Sequence, residues 1–107
     1  MSSKDLPLTE AFFYILLAVR HPNHGYGITQ EVGQLTDGRL ILGAGTLYGA
    51  VQTLLERGWI KVWKADTESR KKKEYLITEE GRSIFYEETA RLKQLTGHAA
   101  LMEEVDL

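Results

Sequence analysis

Few residues of this chain are suited to bond-making chemistry. Four serines (Ser2, Ser3, Ser69 and Ser83) and three histidines (His21, His24 and His98) are present, and cysteine is absent. None of the serines sits in a Gly-x-Ser-x-Gly elbow, and the histidines do not join a serine and an acid in any triad-like order. His21 and His24 stand three apart, a spacing that metal sites use. A Pro-Asn pair separates them and no third ligand is nearby, so His24 reads as a turn or helix-start residue. Gly25-Tyr26-Gly27 and Gly43-Ala44-Gly45 are fragments of phosphate-loop patterns. Both lack a third glycine or a Gly-Lys-Ser/Thr ending, and both read as turns and helix starts. The expectation is a protein that is not an enzyme and that carries no cofactor and no metal.

The chemistry this sequence does concentrate is positive charge. The formal net charge of the 107 residues is -2, which by itself would argue against a nucleic-acid partner. The distribution argues otherwise. Residues 1–56 carry three basic and five acidic groups, 57–73 carry seven and two, and 74–107 carry three and eight. Within the central block lies Arg70-Lys71-Lys72-Lys73, whose side chains could neutralise phosphates without belonging to any core. A run of this kind also serves simply to solvate a turn.

The elements that must position this block follow from periodicity. Leu8, Phe12, Ile15, Leu16 and Val19 form a helical apolar stripe, with Thr9 as N-cap and His21-Pro22 as the stop. Pro22-Asn23-His24-Gly25 is rich in breakers. Ile28, Val32 and Leu35 then mark a second helix from about Tyr26 to Thr36, ended by Asp37-Gly38. Leu47, Val51, Leu54 and Leu55 mark a third, from about Thr46 to Arg57, closed by Gly58. From Trp59 to Lys64 the residues alternate and turn β-branched or aromatic, and Glu74 to Ile77 repeats that character, which predicts a β-hairpin with a polar tip. Thr78, followed by Glu79 and Glu80, caps a long helix running to about Val105. The fold class expected is mainly α with a β-hairpin wing: a winged helix-turn-helix over residues 1–78, followed by a long C-terminal helix over 79–107, in one compact unit.

In a winged helix-turn-helix the third helix enters the major groove and the hairpin reaches the neighbouring groove or backbone. The outward face of the third helix here would present Ala44, Gly45, Thr46, Gly49, Gln52 and Thr53, small or hydrogen-bonding residues that fit a groove. Gln52 suits an adenine edge, Thr46 and Thr53 suit a phosphate or a thymine methyl, and the amides near Gly45 suit a phosphate at the helix start. Tyr48 lies at the border of this face, equally placed to contact DNA or to pack against the wing. Candidate DNA-binding residues are therefore these seven together with Arg70, Lys71, Lys72 and Lys73.

Four stretches in order, His24-Gly25-Tyr26-Gly27-Ile28, Gly45-Thr46-Leu47-Tyr48, Leu54-Leu55-Glu56-Arg57-Gly58-Trp59-Ile60 and Lys73-Glu74-Tyr75-Leu76-Ile77-Thr78-Glu79-Glu80-Gly81, resemble the PadR family of transcriptional regulators. The resemblance spans residues 8 to 82. It implies a repressor-like homodimer on a palindromic operator of double-stranded DNA, released when a small-molecule effector binds or conditions change. Two departures stand out: Gly49 replaces the family's usual proline after the Leu-Tyr pair, and Glu74 replaces a usual aromatic and could pair with a neighbouring Lys.

On the last helix Phe85, Leu92 and Ala99 recur at seven, as do Leu95 and Met102, the spacing of a coiled-coil seam. Such a stripe also suits packing on the helix's own domain, yet a helix this long overhangs a small core. Dimerisation through Phe12, Phe85, Leu92, Leu95, Ala99 and Met102 is expected. Short members of the family dimerise this way, and some stack flat ligands on an interface tryptophan. With no tryptophan after Trp63, the resemblance implies that any effector pocket near Phe12, Phe13, Phe85 and Leu92 suits such ligands less. The longest apolar run, Ala11 to Val19, is nine residues, against the roughly 20 needed to span a bilayer; no membrane partner and a cytoplasmic location are expected. The rival reading is a winged-helix module that binds protein, since a fold does not fix a function.

Overall fold

The computed structural model describes residues 4–64 and 73–104. Helix α1 (Glu10–Ala18) is capped by Thr9, whose hydroxyl accepts from the Phe12 amide. A two-residue strand β1 (Asn23–His24) leads into α2 (Gly25–Leu35), then α3 (Ala44–Glu56). Strands β2 (Ile60–Lys64) and β3 (Glu74–Ile77) form the wing, and α4 (Glu79–Ala99) continues as a 3-10 helix over Ala100–Glu104. The mainly helical winged-helix expectation holds.

Several boundaries differ from those the sequence suggested. The breaker-rich Asn23-His24 is a strand, pairing antiparallel with β3 (Asn23 opposite Tyr75, His24 opposite Glu74) and completing a three-stranded sheet of order β1-β3-β2. Helix α3 begins at Ala44, two residues early, because Gly43 takes an extended conformation and accepts the first helical bond from the Leu47 amide. Leu35 is 53% exposed and does not share the burial of Ile28 and Val32. The C-terminal α-helix stops at Ala99 and tightens, where a continuous helix to Val105 was expected.

Helix ends are closed by local chemistry. At the end of α3 the Trp59 amide reaches back to the Leu54 carbonyl and the Gly58 amide to that of Leu55, with Gly58 at φ +76°. This is a Schellman closure, and the buried pair Leu54 and Trp59 supplies its apolar contact. Helix α2 closes the same way, with Gly38 bonding to Gly33 and Asp37 occupying the left-handed position at φ +50°.

The core lies where α1, α2, α3 and the sheet meet. Ile15, Leu16, Val19, Ile28, Val32 and Leu54 are fully sequestered, joined by Leu47, Val51, Ile60, Tyr75 and Ile77. The Ile77 amide donates to the Val19 carbonyl, tying the wing's inner strand to the end of α1. Thr78 then caps α4 with its hydroxyl accepting from the Gly81 amide and donating to the Gly58 carbonyl. A Cβ at Gly81 would strike the Trp59 carbonyl, so this close seat of α4 on the end of α3 requires glycine.

Candidate nucleic-acid interface

Helix α3 divides cleanly into two faces. Leu47, Ala50, Val51 and Leu54 are buried. Ala44, Gly45, Thr46, Tyr48, Gly49 and Gln52 are exposed and Thr53 is half-buried, so the seven predicted positions share one outward surface. In the free protein part of its hydrogen-bonding capacity turns inward: the Gln52 amide donates to the Glu56 carboxylate at 3.1 Å, and the Thr53 hydroxyl donates to the Gly49 carbonyl at 3.2 Å. Thr9, His24 and Thr78 cap α1, α2 and α4 through their side chains, whereas Gly43 offers α3 none. The first amides of α3 are thereby left to an external acceptor.

The Tyr48 side chain leans on the start of α2. Its hydroxyl lies 2.5 Å from where a Cβ on Gly25 would be, so its phenol lies over the start of α2, and any side chain at position 25 would displace it. The ring remains 49% exposed. Burial raises the hydroxyl pKa of Tyr75 on β3, and a smaller electrostatic effect of Tyr48 adds to it.

The wing is partly described. Lys73 is exposed immediately before β3. Arg70, Lys71 and Lys72 lie outside the described residues. Glu74 faces Lys64 and His24 across the strands but forms no ion pair among the described residues.

Sequence reasoning missed three contributors, Arg57, Trp63 and Glu88, whereas His24, read there as a turn or helix-start residue, takes that role. His24 caps α2 by accepting from the Gly27 amide, and its ring stacks parallel to the exposed Tyr26. Arg57 lies over both Phe12 and Trp59, with its guanidinium 5.7 and 5.0 Å from the ring centres. Trp63 on β2 is 55% exposed. Glu88, buried at 2% exposure on α4, accepts the Leu8 amide at 2.7 Å and the Arg91 guanidinium at 2.5 Å. The Arg91 hydrogen bond is the main reason its carboxyl is held below the ordinary range; burial opposes the effect, and the Leu8 amide assists. Only His24 had a local signal, a polar residue just ahead of an apolar helix.

The predicted dimerisation residues separate into two groups. Phe12 lies against Arg57, and Phe85 stacks on Phe13 with ring centres 4.7 Å apart, so both have partners within the chain. Every residue from Leu92 to Glu104 is exposed, including Leu92, Leu95, Ala99 and Met102. Beside Phe85 a shallow pocket is lined by Leu16, Leu17, Arg20, Ile77, Arg82 and Tyr86, and not by Phe12, Phe13 or Leu92. No helix among the described residues is long and apolar enough to cross a membrane.

The family model of the transcriptional regulator PadR-like family matches residues 15–87, from the middle of α1 through the wing and into α4. The chain belongs to the PadR-like family. Its fold also matches that of a PadR-like transcription factor from Bacteroides fragilis, at 27% identity over 86% of this chain and 87% of the other, with a TM-score of 0.68. A PadR family transcriptional regulator from Eggerthella lenta shares the fold at 24% identity over 89% and 82%, with a TM-score of 0.71. A transcriptional regulator from Clostridium thermocellum shares it at 22% identity over 91% and 93%, with a TM-score of 0.65. No curated protein sequence matches significantly. PadR-like proteins are transcriptional regulators, not enzymes, and DNA-binding regulation is the activity that membership assigns here.

Proposed function

We propose that the protein is a ligand-responsive repressor that acts as a homodimer on a palindromic operator, laying α3 in the major groove and its wing against the flanking backbone. The observation that carries this is the outward face of α3. Glycine inside a helix costs about 1 kcal/mol relative to alanine. Yet a Cβ at Gly45 or Gly49, one turn apart on that face, would meet nothing within 4 Å. Nothing inside the subunit requires these glycines, and on the face that carries the candidate base contacts they would let the helix backbone approach DNA closely.

On this reading Gln52 exchanges Glu56 for an adenine edge, and Thr46 and Thr53 meet phosphate or a thymine methyl. The uncapped amides near Ala44 and Gly45 receive a phosphate, and Tyr48 and Gly49 line the approach. Arg70, Lys71, Lys72 and Lys73 neutralise backbone phosphates. Residues 79–107 form the dimerisation unit, in which Leu92, Leu95, Ala99 and Met102 supply the seam and Phe12 and Phe85 brace its base. A two-fold dimer implies a palindromic operator. An effector entering beside Phe85, between α1 and α4, would act by changing the angle at which α4 leaves the DNA-binding unit.

The test is electrophoretic retardation of DNA from around the protein's own gene, comparing the native chain with Gln52→Ala and with a triple variant carrying alanine at Arg70, Lys71 and Lys72. Nanomolar, competitor-resistant retardation, lost in the triple variant and relaxed in sequence preference by Gln52→Ala, is expected. The affinity should fall with salt by several log units per log unit. Absence of retardation at micromolar protein and low salt would instead favour a module that binds protein.

A further inference from the structure

We propose that Trp63 is a DNA-contacting residue of the wing, its indole lying against deoxyribose and base edges while flanking lysines take phosphates. This rests on the DNA-binding reading above and adds to it a contact that is neither basic nor on α3.

The two tryptophans of the chain lie four residues apart and are placed in opposite environments. Trp59 is 7% exposed and closes the end of α3, whereas Trp63 is 55% exposed on the outer strand of the sheet. Its orientation is built in. The pairing runs from Val62 opposite Tyr75 directly to Lys64 opposite Glu74, so Trp63 is the extra residue of a β-bulge. Bulges re-aim the side chain they carry. The Lys61 ammonium lies 5.9 Å from the indole centre, within cation–π range.

The charge around the indole selects its partner. Lys61, Lys64 and Lys73 are exposed and make no ion pair among the described residues. Protein interfaces are depleted in lysine, whereas a nucleic-acid surface takes lysines at its phosphates. An exposed aromatic ring on a strand that also carries the exposed Lys61 and Lys64 fits a nucleotide backbone, where sugars and base edges offer the apolar contact that phosphates do not. Contacts with the sugar carry no sequence information, so Trp63 contributes affinity more than base choice.

The experiment uses the full chain and a DNA fragment that the native protein retards. Trp63→Ala is expected to weaken binding by about five-fold or more, the effect of losing a modest part of the indole's buried apolar area. Trp63→Phe is expected to restore most of the loss. The dependence of log affinity on log salt should be unchanged in Trp63→Ala, because no phosphate partner is lost, whereas Lys73→Ala should lower the slope by roughly one per contact. Tryptophan emission of the native protein should be quenched and blue-shifted at saturating DNA; in Trp63→Phe only the buried Trp59 remains and the change should vanish. The proposal is overturned if emission is unmoved while the fragment is retarded. It is equally overturned if emission shifts with protein concentration alone, which would place Trp63 in a contact between protein chains. Failure of the native chain to retard any fragment would remove the DNA-binding reading, and Trp63's role with it.

Discussion

The two halves of α4 share one helix and one apolar spacing, yet they have opposite fates. In the first half Gly81, Ile84 and Glu88 are buried and Phe85 stacks on Phe13 of α1. In the second, Leu92 and Leu95 continue the same pattern into solvent, and Leu101 and Met102 follow at 59% and 73% exposure. The difference teaches that heptad spacing specifies a stripe but not what covers it. Where α1 is within reach the stripe becomes core. Beyond its reach an unsupported helical segment of this length is marginal in water, and a second copy is the covering we propose.

The comparison is sharpened most by truncating one residue from each half. Ile84→Ala should destabilise the protein by about 2–5 kcal/mol, as removal of buried methylenes does. Leu95→Ala should cost the separated subunit no more than about 0.5 kcal/mol. Urea unfolding at low protein concentration measures both, and equal losses would break the distinction.

Glu88→Gln tests the polar anchor of the first half. It keeps an acceptor for the Leu8 amide but loses the charge that holds Arg91, and should cost about 1–3 kcal/mol at neutral pH. Because the folded carboxyl is held below its ordinary range, chiefly by Arg91, its stabilisation is present above that range and is lost as pH falls through the depressed folded value. Unfolding followed downward from about pH 6 should therefore show an acid loss in the native protein that is smaller in Glu88→Gln, the steepest part lying below about pH 4.3.

For the second half, Leu95→Ser combined with Met102→Ser should weaken self-association at least about ten-fold, a loss of about 1.4 kcal/mol. Sedimentation at micromolar protein would then show monomer, and Tm would lose its dependence on concentration. Smallest of all, Gly97→Ala should stabilise the helix of the separated subunit by up to about 1 kcal/mol, since a Cβ there meets nothing within 4 Å in its own chain, and unchanged association would place Gly97 outside the seam. Weakened association in Gly97→Ala would mean that the seam passes over that position.

Much of the fold could be read directly from residues because its determinants are local. Thr9, Thr78 and Gly58 cap helices from within a few positions, and the buried stripe of α3 is a simple helical period. The outward face of α3 followed by exclusion once that stripe was known. Ala44 and Gly45 were placed ahead of the helix rather than in it, because glycine and alanine carry no periodic signal that marks a helix start. Strand β1 escaped notice for another reason: two residues form it, and only their hydrogen bonds to β3, some fifty positions away, make it a strand.

The sequence by itself therefore determined the order of the four helices and the hairpin, the family, and the concentration of basic charge near the wing, all of which depend on residue type and short-range spacing. Tertiary structure alone decided that Tyr48 lies over Gly25, that Glu88 grips the Leu8 amide 80 positions away, and that Trp59 is core while Trp63 is surface. The reason is physical. Caps and periods are satisfied within one or two turns of chain, whereas the burial of a side chain depends on which distant element arrives to cover it.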